Sequence, residues 1–186
     1  MKNYSEYVDP HLKHFKPIQV PAEKIEKIRA FVDKVIEAKK KEKHHIIDSG
    51  SEYTRFYTGT LGEAAVEELL GVELIDWSIG ESSIYNEGDL KKFGLDIGIK
   101  TVEYGKFPII HKNVKRPEVI NLKMDESCVL ICGLATIGVL RDCQDDGLVL
   151  SPNLRRRGTK TGFYGFDRLA TFQSLDDLRR IFKQHV

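Results

Sequence analysis

Four residues of this chain have the types and spacing to do chemistry together: Glu63, Asp89, Asp96 and Lys100. Three of them fall in or beside GDLKKFGLDIGIKTV, Gly88 to Val102, where a lysine interrupts an otherwise apolar run. Strand side chains alternate faces, so a strand over 95–102 puts Asp96, Gly98 and Lys100 on one side and Ile97, Ile99 and Thr101 on the other. Asp89 ends the preceding strand-like run, and a hairpin would carry it toward Asp96 or Gly98. Glu63 lies at the border of the apolar stripe of TLGEAAVEELLG. Carboxylates gathered in this way make an oxygen-rich site for a hard cation such as Mg²⁺, with Mn²⁺ as an alternative. A lysine beside that ion could hold the attacking water or offset charge on a phosphate. The chemistry that suits such a set is phosphodiester hydrolysis.

Each residue also has a plainer reading. Thr60 followed by Glu63 is a capping-box pattern, so Glu63 could simply satisfy backbone donors. Asp89 precedes a turn, where aspartate commonly bonds its local backbone. Asp96 and Lys100 could form an exposed same-face ion pair of small energetic weight.

The elements that must position these residues follow from periodicity. Pro21 can open a helix on which Ile25, Ile28, Val32, Val35 and Ile36 recur at helical spacing. The segment 46–59 reads as a connection with a short strand. A second helix fits 60–71, with Leu61, Ala65, Val66, Leu69 and Leu70 as its stripe and Gly71 as its stop. Strands are expected at 72–79, 82–90 and 95–103, with KKFG as the turn before the last and Gly94 at positive φ. Residues 104–124 read as loop or irregular strand, and ESCVLICGLA as a buried strand. A hairpin is expected around Asp146-Gly147, then a glycine-punctuated basic loop over 153–166. Ser174 and Asp177 resemble a capping box opening a terminal helix with Leu175, Leu178, Ile181 and Phe182 on one face. This order predicts an α/β fold, a mixed central β-sheet flanked by helices.

Bulk numbers bound the remainder. The 186 residues suit one domain, 1–186, with 1–20 an irregular N-terminal arm. The formal net charge is +1, so any anion-binding surface must be local. No stretch approaches the ~20 apolar residues that span a bilayer, and the N-terminus lacks the apolar core of a signal peptide. Cys128, Cys132 and Cys143 are too few, and an odd number, for a disulfide framework. The expectation is a cytoplasmic, reduced chain with no membrane partner and no zinc site.

The arrangement of Glu63 in GTLGEAAVEELLG, Asp89 in EGDL and Lys100 in GIK resembles the PD-(D/E)XK nuclease superfamily. Its pattern is a glutamate on an early helix, an aspartate at a strand end and an acid-x-lysine pair on the next strand. The resemblance covers roughly 58–102. It implies a restriction-endonuclease-like core and a Mg²⁺-dependent endodeoxyribonuclease acting on DNA. Glu63, Asp89 and Asp96 would serve as metal ligands and Lys100 as the group that positions water. A homodimer follows from the resemblance alone. One position departs from the pattern: Gly98 stands where an acid is expected, with Asp96 as its substitute. The corresponding alternative is a catalytically inactive nucleic-acid-binding or assembly protein on the same fold. A small α/β interaction domain is a third reading.

Local basic excess favours a phosphate-rich partner. Residues 91–123 carry eight Lys/Arg against three acids. The segment 153–168 carries five against one. The expected phosphate contacts are Arg155, Arg156, Arg157 and Lys160, with Lys91, Lys92, Lys112 and Lys115. Phe163 and Tyr164, next to the first group, could stack on bases.

Overall fold

The structure is a computed structural model that describes residues 2–40, 49–79 and 88–185. A short helix α1 (Tyr4–Tyr7) and a 3-10 turn (Asp9–His14) lead into β1 (Lys16–Gln19). Two long helices follow, α2 (Ala22–Lys40) and α3 (Ser49–Leu70). Next come β2 (Gly98–Glu103), β3 (Ile109–His111), β4 (Glu118–Lys123) and β5 (Cys128–Ala135). After them lie α4 (Ile137–Asp142), β6 (Gln144–Asp145), α5 (Pro152–Arg157), β7 (Lys160–Phe163) and α6 (Leu175–His185).

The main sheet runs β1-β5-β4-β2 and is mixed: β2 pairs parallel with β4, and the other two pairings are antiparallel. A smaller sheet runs β3-β7-β6. Alternation along the strands of the main sheet divides its side chains between two cores. Val119, Val129, Ile131 and Leu134 pack with α2, α3 and α6 on one face. Ile120, Leu122 and Cys132 pack with Val8, Phe15, Leu140 and the small sheet on the other. The chain joins the parallel neighbours β2 and β4 through residues 104–117. It places β3 in the small sheet on the way, so the two sheets face each other near β2.

Helix α3 lies unusually close to β2. A Cβ at Gly62 would fall 1.7 Å from Thr101 Oγ1 and 2.6 Å from Thr101 Cβ, so only glycine permits this approach. Asn121 Nδ2 donates to the Gly62 carbonyl at 3.4 Å, tying the same contact to β4. Gly62→Ala is expected to lower stability by about 1–3 kcal/mol through overpacking, read as a lower denaturation midpoint in urea.

Several sequence expectations match these elements. The helices at 22–40 and 175–185 and the buried strand β5 are present. Asp177 N–H donates to Ser174 Oγ at 3.1 Å, the cap bond expected from the sequence, and the Asp177 carboxylate reaches back to accept from Gln173 N–H at 3.0 Å, one residue before the cap. Gly71 and Gly94 take positive φ of 64° and 77°.

Others are corrected. Helix α3 begins at Ser49, inside the segment read as a connection, because its packing on both the sheet and α2 outweighs the glycines and β-branched residues of its first half. Thr60 is therefore mid-helix, with Oγ1 donating to the Phe56 carbonyl at 2.9 Å, and it caps nothing. Residues 72–79 form no strand, and Gly88–Leu90 lead into a 3-10 turn. Most of the strand expected at 82–90 lies outside the described residues, as does most of the lysine-rich run after α2. Residues 16–19 are an ordered edge strand, where Pro17 needs no ladder partner on its open side. The hairpin expected near Asp146 is instead α4, a two-residue strand and a 3-10 turn. The basic loop holds α5, capped by Ser151 and ended by Gly158 at φ 66°. Among the described residues, no helix is long and apolar enough to cross a membrane.

Candidate functional site

A cleft of about 930 Å³ opens where the two sheets face each other. Asp89, Lys100 and Glu118 line one wall, and His111, Lys112 and Lys160 line the other. The parallel register of β2 and β4 builds the first wall. Gly98 lies opposite Glu118 and Lys100 opposite Ile120, so Gly98, Lys100 and Glu118 share one face. The antiparallel register of β3 and β7 builds the second, with His111 opposite Lys160.

Gly98 explains how the acids converge. A Cβ built there would lie 3.5 Å from Glu118 Cγ and 3.8 Å from Asp89 Oδ2, both ordinary contacts. The two carboxylate side chains thus flank the space in which the expected acid of β2 would stand. Glu118 supplies that acid from the neighbouring strand. The Ile99 N–H donates to Asp89 Oδ2 at 2.5 Å and fixes Asp89 at the entry to β2. Glu118 Oε2 is buried and has no hydrogen-bond partner among the described residues.

Electrostatics follow from this burial. Burial raises the Glu118 carboxyl above its ordinary pKa; Lys100, Lys160 and Arg116 oppose the shift, and Asp89 adds to it. Burial lowers the Lys100 ammonium, Glu118 holds it up, and Arg55 adds like-charge repulsion. Lys160 falls to about 8, first from lost solvation and then from the nearby positive charge of Lys100.

The structure brings Asp89 and Lys100 into one cleft but not Glu63 or Asp96. Asp96 precedes β2, so strand alternation does not extend back to it. Its carboxylate accepts from Gly88 N–H at 3.1 Å and pairs with Arg116 at 3.2 Å, which corrects its expected place beside Lys100. Glu63 follows Gly62 on α3, the helix packed against β2 at Thr101; it does not line the cleft, although the Asp89 carboxylate acts on it. Among the described residues, no group of three or more His, Cys, Asp and Glu could hold a metal ion together.

Glu63 is nonetheless perturbed. Burial, reinforced by Asp89 and Glu67, pushes its carboxyl up to about 8. Between its ordinary 4.5 and 8 the native state keeps a proton that the unfolded chain releases, so stability falls as pH rises through this window. Glu63→Gln should therefore melt above the wild type at pH 9, with the gain shrinking toward pH 5. Thermal denaturation across that range checks it.

The basic residues divide as well. Lys112, Lys115 and Lys160 line the cleft, with Arg116 beside them. Lys112 pairs with Asp146 at 2.5 Å. Arg155 donates to the carbonyls of Val149 and Gly147 and fastens its own loop, and Arg156 donates to Asn153 at 3.3 Å. Arg157, at the end of α5, and Lys91 and Lys92, on the turn before β2, are exposed but outside the cleft. Phe163 is fully buried, and Tyr164 packs edge-on to Tyr7 under the Lys2 ammonium. Neither ring is the open stacking surface expected from the sequence.

Sequence reasoning passed over Glu118, His111 and Arg116. For Glu118 one signal existed: in EVINLK it shares a face with Ile120 and Leu122, so it is an acid on an otherwise apolar strand face. Compared with family models, curated proteins and solved structures, the chain finds no match in any of the three.

Proposed function

We propose that this cleft hydrolyses phosphodiester bonds in DNA with Mg²⁺ or Mn²⁺, on a restriction-endonuclease-like core. The observation that carries the reading is the convergence of Asp89 and Glu118 around Gly98, on the face that presents Lys100. It replaces the missing acid of the sequence pattern by one from the adjacent strand.

The residues present fit a hard cation. Mg²⁺ typically uses one or two carboxylates together with substrate phosphate and retained waters. Asp89 and Glu118 are two such carboxylates, and the partnerless buried Oε2 of Glu118 is an oxygen in want of a cation or a donor. When bound, the ion would offset charge developing on the phosphoryl oxygens. Lys100, its ammonium aimed into the cleft, orients the attacking water. Lys115 and Arg116 at the cleft hold flanking phosphates.

A second reading, nucleic-acid binding without cleavage, is favoured by one observation: among the described residues no three acids gather as a metal-holding group. Cleavage of plasmid and single-stranded DNA with Mg²⁺ or Mn²⁺, beside Asp89→Ala and Lys100→Ala, separates the two. The hydrolase reading expects metal-dependent cleavage lost in both variants. Salt-sensitive binding without cleavage would select the second reading. Cleavage unaffected by either substitution would reject the site.

A further inference from the structure

The wall facing Asp89, Glu118 and Lys100 carries an amine that the reading above leaves without a chemical role. Lys160 opens β7, and its Nζ lies 2.6 Å from His111 Nε2 on the paired strand β3. Both line the cleft. An in-line displacement at phosphorus needs two things on opposite sides: activation of water, and a proton for the departing oxygen. The two sheets present amines from opposite walls, Lys100 from β2 and Lys160 from β7.

We propose that Lys160 is the acid that protonates the departing deoxyribose oxygen, with His111 as its positioning residue. This rests on the phosphodiesterase reading. Water oxygen, oriented by the Lys100 ammonium, forms the new bond to phosphorus while its proton passes to solvent. The bond from phosphorus to the deoxyribose oxygen breaks, its electron pair stays on that oxygen, and the oxygen takes a proton from the Lys160 ammonium. Lys160 then regains a proton from solvent, so the cycle closes without a further reactant.

The surroundings suit this role. Lys160 titrates at about 8, near the pH at which a general acid works best. Lys100 and Glu118 face it from the main sheet, the first easing proton loss and the second opposing it. His111 is held below its ordinary pKa by lost solvation and by Lys160, Lys100, Lys115 and Arg116, so it is neutral at pH 7. A neutral imidazole accepts an N–H from the ammonium at Nε2 and fixes its direction.

A substrate with sulfur in place of the departing bridging oxygen tests the step, because a thiolate leaves without a proton. Lys160→Met should slow cleavage of the oxygen-linked strand by about 100-fold, yet cleave the sulfur-linked strand, in Mn²⁺, at the wild-type rate. Lys160→Arg keeps the charge but donates poorly, and should show the same split with DNA affinity retained; it carries the test if the methionine variant fails to fold. His111→Phe removes an acceptor that favours the ammonium, so the alkaline limb of the rate profile should move to lower pH. Equal losses on both substrates, or undiminished cleavage of the oxygen-linked strand, would overturn the role of Lys160. Wild-type protein that cleaves neither substrate would instead sink the phosphodiesterase reading, and this step with it.

Discussion

Glu118→Gln is expected to lower metal-dependent cleavage by roughly 10²–10³-fold, the size of effect that follows loss of one preorganised charge-stabilising group. Adding Gly98→Asp to that variant should recover a large part of the loss. The backbone allows the exchange: Gly98 lies in β2 without positive φ. Its Cβ direction is open at ordinary contact distance from Glu118, Arg116 and Asp89. A carboxylate placed there would stand two residues before Lys100, on the same face. Single-turnover cleavage rates of the wild type, Glu118→Gln and the double variant give the result. A double variant as slow as Glu118→Gln would show that Glu118 does something other than stand in for an acid on β2. DNA binding measured in parallel separates lost chemistry from lost affinity.

Lys100→Met should move activity and stability in opposite directions. Cleavage should fall by about 10²–10³-fold, because the charged group that orients water is gone. Stability should rise. A half-buried ammonium carries a desolvation cost, and here lost solvation outweighs the help from Glu118. A methionine of similar length keeps the packing and removes the charge. Lysine that is costly to fold and kept inside a cleft fits a site where function opposes stability. Cleavage kinetics with a thermal melt at pH 7 check both halves. A variant that cleaves normally, or one that melts well below the wild type, would contradict this account of Lys100.

How much was legible in the sequence varies with the range of the interaction. The capping box at Ser174 and Asp177 spans three residues and was readable, because both bonds are local. The strand over Lys100 was readable from alternation, and that alternation correctly separates Lys100 from Thr101: one looks into the cleft and the other onto α3. Asp96 failed the same rule because the strand starts two residues later. The alternation holds only inside the paired segment, and the partner that defines the segment is β4, not the residues before the turn. The first half of α3 was missed for a related reason. Its glycines and β-branched residues argue against a helix, and packing against two neighbouring elements overrides them.

By itself the sequence determined the strand that carries Lys100, the face on which Lys100 stands and the place of Asp89 shortly before it. These rest on the period of two along a strand and on caps and turns a few residues long. Only the tertiary structure decided which acid stands beside Gly98 and which amine faces it. Glu118 is 20 residues away along the chain, and its register depends on a parallel crossover through a second sheet. Lys160 reaches the cleft only because β7 pairs with β3. Parallel pairing and sheet-to-sheet packing are chosen by burial over the whole fold, and no window of neighbouring residues carries that information.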